Sequence, residues 1–277
     1  MKKSFKILVF ASVLFSLVIA CQRVPLTGRK QMVGLVSGDE IMKMSFLEYN
    51  GFIDTVKVMP ANNAQSQLVS KVGERIKKSV EDYLIQNQLG YLLNGYQWEF
   101  RTVQSKELNA WCMPGGKVCF YTGILPVCKS EEGIAVVMGH EVAHAIAEHG
   151  RERMSQALLA QGITSVGAVA AGVYTGDQRV METAAQVFGI GSQVFGLLPN
   201  SRKQESEADK LGLIFMAMAG YNPNEGVEFW KRMAEAGKNS QKPPKFLSTH
   251  PSDETRIADL NKNMEKAMKY YYAYAKK

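Results

Sequence analysis

The sequence carries two histidines and a glutamate at a spacing suited to holding a metal ion and activating water. They form the motif His140-Glu141-Val142-Ala143-His144. On a helix, residues four apart lie on one face, so the two imidazoles can converge on one ion while Glu141 reaches a water beside it. Zinc would lower the pKa of that water to about 7 and polarise a carbonyl, and Glu141 would pass the proton to the leaving amine. The motif therefore predicts zinc-dependent hydrolysis of peptide bonds.

The alternative is a pair of surface histidines that bind no metal. Most neighbours of the motif are apolar, namely Ile134, Val136, Val137, Val142, Ala143 and Ile146. The helix is therefore expected to be largely buried, where two histidines and a glutamate would be costly without partners. We expect one Zn²⁺ per chain at this site.

A catalytic zinc usually has a third protein ligand and one open position. The candidates are His149, Glu205, Glu207, Asp209 and His250. His149 lies five residues after His144, about 500° around a helix, and so points away from the ligand face. It also does not fit the metzincin spacing. Glu205 and Asp209 share one face of a predicted helix and Glu207 points elsewhere, so the residues alone leave the third ligand open.

Several segments, taken in order, resemble one group of metallopeptidases. The matching segments are His140–His144, Ser201–Asp209, Asn109-Ala110-Trp111, Pro114-Gly115-Gly116, Tyr121-Thr122-Gly123-Ile124-Leu125, and Ser248-Thr249-His250-Pro251 with Arg256. They resemble the HtpX/BepA group of gluzincins, which also contains LoiP, mitochondrial inner-membrane quality-control peptidases and the CaaX prenyl proteases. The resemblance covers nearly all of the chain after its N-terminal segment. Since we find no convincing transmembrane helix, the chain looks more like the periplasmic lipoprotein branch.

The resemblance implies an α+β, zincin-like fold, mostly helical, with a small sheet whose edge strand borders the active-site helix. It implies Glu205 as the third zinc ligand, which fits the known His₂Glu hydrolytic set. Asp209, one turn further on, would then fix a zinc-binding histidine through its free ring nitrogen. The alternative for both acids is a solvated helix face. Quality control of unfolded or misassembled envelope proteins is expected by analogy with the family.

His250 is the remaining histidine of interest. In proteins similar to BepA, the corresponding residue approaches the metal. We therefore expect His250 to stabilise the tetrahedral oxyanion, as a catalytic residue, or to occupy the open zinc position in a resting state. The alternative is a loop histidine that caps the final helix.

The elements that must position these groups are mostly helices. Helices are expected over 40–50, 62–88, 131–147, 201–219, 224–236 and 254–273, and strands over 96–103, 109–113 and 117–122. Lys117, Val118, Cys119 and Phe120 are expected to form the edge strand, to which an extended substrate could add by backbone hydrogen bonds. The alternative is a plain core strand, because Val118 and Phe120 alternate as core residues would.

The glycine-rich region 158–198 is apolar and is split by a polar patch at 175–179. A transmembrane hairpin is one interpretation, but Gln161 and Ser165 interrupt the first apolar run, which falls short of a full span. Buried or mobile helices near the active site are favoured.

The N-terminus has the pattern of a targeting segment. Lys2, Lys3 and Lys6 precede an apolar run that ends in Val18-Ile19-Ala20-Cys21. This resembles a bacterial lipobox, with residues 1–20 as the signal peptide, Cys21 lipidated, residues 21–31 as a tether and 32–277 as the peptidase domain. An ordinary secretory signal is the alternative. We therefore expect a lipid anchor in a membrane of a Gram-negative envelope, periplasmic, with the outer membrane favoured over the inner.

Composition limits the remaining possibilities. The chain has 277 residues and a net charge of +7, with 46% hydrophobic residues, which is typical of a globular domain. The charge forms no basic stripe with stacking aromatics, so protein or peptide substrates are expected rather than nucleic acid. Three cysteines remain after Cys21, and a Cys119–Cys128 disulfide stays open. Two rival functions are an assembly chaperone with repressed proteolysis and a lipoprotein without enzymatic activity; the oligomeric state is unknown.

Overall fold

The computed structural model describes residues 21–160, 166–188, 201–238, 244–250 and 254–274. The strands are β1 (Cys21–Arg23), β2 (Lys30–Met32), β3 (Glu99–Val103), β4 (Ala110–Met113) and β5 (Lys117–Tyr121). The helices are α1 (Gly38–Thr55), α2 (Ala64–Gln86), α3 (Leu125–Cys128), α4 (Glu131–Ile146), α5 (His149–Ala160), α6 (Val166–Thr175), α7 (Gln178–Phe188), α8 (Arg202–Met218), α9 (Glu225–Lys238), α10 (Lys245–Thr249) and α11 (Glu254–Tyr274). The expected α+β class, mostly helical with a small sheet, is confirmed.

The three-stranded sheet has the order β3-β5-β4. β5 runs parallel to β3 and antiparallel to β4, and all five of its residues are buried. The prediction that Lys117, Val118, Cys119 and Phe120 form the edge strand is therefore wrong, because both sides of β5 already carry a partner strand. The strand that borders the motif helix α4 is β4.

Helix α4 lies at the centre of the main core. Ser130 caps its N-terminus by accepting a hydrogen bond from the Gly133 amide at 3.2 Å. Every residue from Gly133 to Ile146 is buried. Helix α2, strand β4 and helices α8 and α9 pack against α4. Since α4 is enclosed in this way, its apolar residues are not confined to one face of the helix.

Helices α4 and α8 approach each other closely at a pair of glycines. A Cβ atom at Gly139 would lie 2.8 Å from the carbonyl oxygen of Gly212, and a Cβ at Gly212 would lie 2.9 Å from the His140 amide nitrogen. Both distances are shorter than side-chain packing allows. The missing side chains therefore let the two backbones touch one residue away from His140.

Residues 21–32, which include the predicted tether, form an antiparallel β1–β2 hairpin. Gly28 takes a left-handed conformation in its turn, with φ of +75°, and Val24 is buried in the main core. The hairpin lies against α5 and α8 through Arg29, as described below.

The described part of the glycine-rich region packs as helices on one side of a second core. Val169 of α6 and Val180 of α7 are buried there with Met154 and Leu158 of α5 and with Met44 of α1. Within the described ranges, no helix has both the length and the hydropathy needed to cross a bilayer. Residues 161–165 and 189–198 of this region lie outside the described residues.

Cys112, Cys119 and Cys128 are all free. Burial is the main reason that the pKa of the Cys119 thiol is raised. The Cys119–Cys128 disulfide that the sequence left open is therefore not formed.

Candidate metal centre

The two histidines of the motif converge as their spacing predicted. His140 and His144 lie one turn apart on α4, and their Nε2 atoms are 3.0 Å from each other. The two residues are 2% and 6% exposed.

Glu205 reaches these histidines from the first turn of α8. A capping box between Ser201 and Gln204 fixes the start of this helix. The Glu205 Oε1 atom lies 3.2 Å from His144 Nε2, and Oε2 lies 3.5 Å from His140 Nε2. Of the five candidates for a third ligand, Glu205 and His250 join the two histidines, while Glu207, Asp209 and His149 do not.

His250 completes the group from the position directly after α10, where it is the C-cap residue with a non-helical backbone. Its Nδ1 atom is 3.1 Å from His140 Nε2 and 3.0 Å from Glu205 Oε1. All four donor atoms lie within 4.8 Å of one another, and all four residues are buried. The alternative of a histidine that only caps the last helix does not account for these contacts.

The hydrogen bonds on the outer ring nitrogens show that the group suits a cation. His140 Nδ1 lies 2.8 Å from Asp209 Oδ1, and His144 Nδ1 lies 2.7 Å from His149 Nδ1. If both Nδ1 atoms donate, both Nε2 atoms present lone pairs to each other at 3.0 Å, which is repulsive unless a positive charge lies between them. Burial lowers the pKa of His140, but Glu205 and Asp209 outweigh burial and raise it to about 9 in the metal-free chain. The site thus favours a proton or a metal ion at this point.

The distances also match the requirements of zinc. Ligands at 2.0–2.1 Å from a tetrahedral ion are about 3.3 Å apart. The four shortest separations between His140 Nε2, His144 Nε2, His250 Nδ1 and Glu205 Oε1 run from 3.0 to 3.2 Å. Two or three imidazoles with one carboxylate form a donor set typical of zinc.

Glu141 is 3% exposed and carries a buried carboxylate oxygen, Oε1, without a hydrogen-bond partner among the described residues. This oxygen lies 3.4 Å from His250 Nε2. Burial raises the pKa of Glu141, and the neighbouring His250 and His140 oppose that rise. A buried carboxylate of raised pKa beside the donor group has the properties of a general base.

Asp209 and Glu205 are both held by Arg256 of α11. Its Nη1 donates to Glu205 Oε2 at 2.9 Å, and its Nη2 donates to Asp209 Oδ1 at 2.7 Å. The guanidinium stacks 3.2 Å from the ring centroid of Trp230. Arg256 stood in the family-like segment, but the sequence alone gave it no role. Burial raises the pKa of both acids, yet charged neighbours such as His250 for Glu205 and Arg256 for both outweigh it and lower the pKa.

His149 and Glu207 do point away from the donor group, as expected, but they contact each other. His149 is fully buried, and its Nε2 lies 2.9 Å from Glu207 Oε2. Sequence reasoning had rejected both as ligands and had given them no role. The histidine five residues after His144 was the only signal that could have drawn attention to them.

The predicted substrate strand does not reach this site by an open edge. Val118, Cys119 and Phe120 are fully buried, and Lys117 is 9% exposed. On the neighbouring β4, the Tyr121 amide donates to the Asn109 carbonyl, so Asn109 and Trp111 face β5 by alternation. The same alternation turns the backbone groups of Ala110 and Cys112 outward, on the strand that borders α4.

Comparison with known proteins agrees with this geometry. A family model described as peptidase family M48 matches residues 70–264. The mitochondrial metalloendopeptidase OMA1 of Saccharomyces cerevisiae is 32% identical over 222 residues, which are 78% of this chain and 60% of that protein. The Schizosaccharomyces pombe protein of the same name is 30% identical over 84% of this chain and 71% of its own length. The beta-barrel assembly-enhancing protease of Escherichia coli is 26% identical over 58% of this chain and 33% of its own length. The chain thus spans less than two thirds of the first of these relatives.

These relatives contradict the predicted location in a Gram-negative envelope. Relatives from two yeasts, a plant and two mammals are named as mitochondrial proteins, and this finding overturns the prediction of a Gram-negative periplasmic lipoprotein. The prediction depended on a basic, apolar N-terminal segment before Cys21. Such a segment is common to several kinds of targeting signal, and residues 1–20 lie outside the described residues.

Proposed function

Since the chain belongs to peptidase family M48, we propose that it is a zinc-dependent endopeptidase with His140, His144 and Glu205 as metal ligands. Zinc in this donor set would lower the pKa of an attacking water and polarise the scissile carbonyl. The observation that carries the proposal is the convergence of four buried donor atoms with two opposed imidazole lone pairs. Relatives named as metalloendopeptidases support the same reaction.

Glu141 is the general base of this proposal. Its Oε1 atom is available for a proton from the attacking water, and its buried carboxyl can return that proton to the leaving amine. Asp209 and Arg256 do not touch the substrate in this scheme. They hold His140 and Glu205 in place.

Substrates would be extended segments of unfolded or misassembled proteins. On the side of β4 that faces away from β5, no other strand of the described chain pairs, and Cys112 is partly exposed there while Ala110 is buried. A peptide added to this edge is held by main-chain hydrogen bonds, which make few demands on side chains. Only unfolded or loosely folded chains can adopt that extended form.

The test is to measure zinc content and casein cleavage for the chain and for Glu141→Gln. We expect zinc in both, with cleavage reduced by at least about 10²-fold in the variant, because general base catalysis contributes at least that factor. A tightly folded protein serves as the control substrate and should resist cleavage. Lack of zinc in the unaltered chain would overturn the proposal, and full activity in Glu141→Gln would remove Glu141 as the base.

A second candidate, an assembly chaperone with repressed proteolysis, has one observation in its favour. His250 Nδ1 occupies the fourth position of the donor group, 3.1 Å from His140 Nε2, where an attacking water would otherwise lie. In the first candidate, this arrangement is a resting state that substrate displaces. In the second, it is permanent.

Replacing His250 separates these roles. We expect His250→Ala to keep its zinc, because three protein ligands remain, and to cleave casein severalfold faster than the unaltered chain. A loss of cleavage would instead assign His250 to stabilising the oxyanion. Unchanged cleavage with unchanged zinc content would remove both roles.

A further inference from the structure

We propose that His149, Glu207 and Arg29 form a positioning chain that fixes the imidazole of His144 toward the metal and makes the N-terminal hairpin part of the metal site. The inference rests on the proposed metal site and concerns residues that do not bind the metal. It assigns a role to the hairpin beyond that of a tether.

The first two steps of the chain are buried hydrogen bonds. When the Nε2 lone pair of His144 faces the metal, its Nδ1–H donates to His149 Nδ1 at 2.7 Å. His149 must then carry its proton on Nε2, which donates to Glu207 Oε2 at 2.9 Å. Each step therefore fixes the tautomer of the previous one, and the carboxylate at the end makes His144 a better donor.

The hairpin provides the groups that hold Glu207. The two carboxylate oxygens of Glu207 accept hydrogen bonds from the Thr27 hydroxyl and the Arg29 Nε. The other nitrogens of Arg29 donate to both oxygens of Glu152 on α5, at 3.0 and 2.8 Å. Arg29 thus bridges the two acids, one on α8 and one on α5.

Gln204 ties the same network to the metal ligand helix. Its Nε2 donates to Glu152 at 2.7 Å, while its Oε1 accepts from the Ser201 amide in the cap of α8. Glu205 is the next residue. The hairpin, α5 and the first turn of α8 are therefore joined next to the metal ligand Glu205.

Burial explains why these contacts can fix a geometry. The side chains of Glu152, Glu207 and Arg29 are 6%, 4% and 17% exposed, and His149 is fully buried. Removing one partner of a buried ion pair leaves the remaining charge buried and unpaired, which is strongly destabilising. The side chains around that charge are then expected to rearrange. If Arg29 is lost, Glu207 and Glu152 repel each other, and His149 loses its fixed acceptor.

The test measures zinc affinity by competition with a chromogenic chelator, using the full chain. We expect His149→Phe and Arg29→Gln to weaken zinc binding by about 10- to 100-fold, the usual effect of removing a group that orients a metal ligand. Thr27→Val should weaken it less, and Thr27→Ser should restore it because the hydroxyl donor returns. These two milder variants keep the test valid if the change at His149 or at Arg29 prevents folding.

Arg232→Gln is the matched control. Arg232 is 20% exposed and pairs with Glu225, and it also donates to backbone carbonyls near α3, away from the donor group. The Arg232→Gln variant should lower the melting temperature, as Arg29→Gln does, and should leave the zinc affinity unchanged. The inference is overturned if Arg29→Gln and Thr27→Val bind zinc as tightly as Arg232→Gln. If the unaltered chain binds no zinc, it is the proposed function that fails.

Discussion

The hydrogen-bond partner at Nδ1 of His140 and of His144 decides whether the Nε2 lone pair of each ring faces the metal position. Asp209 is that partner for His140, and His149 is that partner for His144. Because Asp209 and His149 each accept a hydrogen bond from an Nδ1–H, both Nε2 lone pairs point toward the metal position. The chemistry of the motif thus depends on residues outside it, and two of these, Asp209 and Glu207, come from one helix.

At this scale, we predict that Asp209→Asn weakens zinc binding by roughly 10- to 100-fold while the chain still folds. The amide can still accept from His140 Nδ1, but it loses the charge that pairs with Arg256 at 2.7 Å. Competition with a chromogenic chelator measures the change. Asp259→Asn, which removes a carboxylate of α11 that contacts Ser206, is the control and should bind zinc normally. Equal affinities for the two variants would rule out the role of Asp209.

The helices α4 and α8 position the ligands by the closeness of their crossing. Gly139 and Gly212 place the two backbones in contact, and this brings Glu205 and Asp209 of α8 within reach of His140 and His144. Pairs of small residues allow such an approach, whereas larger side chains would keep the helices apart. The periodicity of each helix predicts its buried face but not this distance.

At the scale of elements, we predict that Gly212→Ala destabilises the protein by about 1–3 kcal/mol and weakens zinc binding. The added Cβ would meet the His140 amide nitrogen at 2.9 Å, so the backbones must separate, as in other overpacked cores. Denaturant unfolding and chelator competition measure the two effects. Gly167→Ala is the control, because nothing lies within 4 Å of a Cβ there and an alanine suits a helix. Loss of stability without loss of zinc affinity would mean that the crossing is not what sets the ligand spacing.

Over the whole molecule, the donor group connects segments that are far apart in the sequence. His140 and His144 come from α4, Glu205 from α8 and His250 from the end of α10. The unfolded chain has no preformed site, so a metal bound here stabilises the folded state. Arg256 further joins α11 to α8, and the Arg29 hairpin joins α8 to α5.

At this scale, we predict that removing the metal with a chelator lowers the melting temperature. Zinc at 100 times its dissociation constant contributes about 2.7 kcal/mol, and each kcal/mol is worth about 2–4 °C for a chain of this size. Differential scanning calorimetry with and without chelator measures the shift. Glu141→Gln should show the same shift and His140→Ala should show almost none. A melting temperature that chelator leaves unchanged would contradict a structural contribution of the metal.

Local sequence patterns were enough to predict the chemistry and most of the helices and strands. His140 and His144 stand at a spacing that a helix places on one face. The mostly apolar composition of the segment predicted the extent of that helix to within about two residues, the usual uncertainty of helix ends. The helix expected over 201–219 likewise coincides with α8, which begins at Arg202 after its cap at Ser201. These features are local, because they depend on residues within one or two turns of each other.

Contacts between distant segments, by contrast, emerged only from the folded chain. The fold placed β5 at the centre of the sheet, although alternation alone cannot distinguish a central strand from an edge strand. It brought His250 into the donor group and His149 against His144, and it gave Arg256 and Arg29 their partners. The sequence predicted the wrong compartment because a targeting segment is read by a receptor, and its composition does not name that receptor. Side chains far apart in the chain meet only when the core packs, so their roles follow from the fold rather than from spacing.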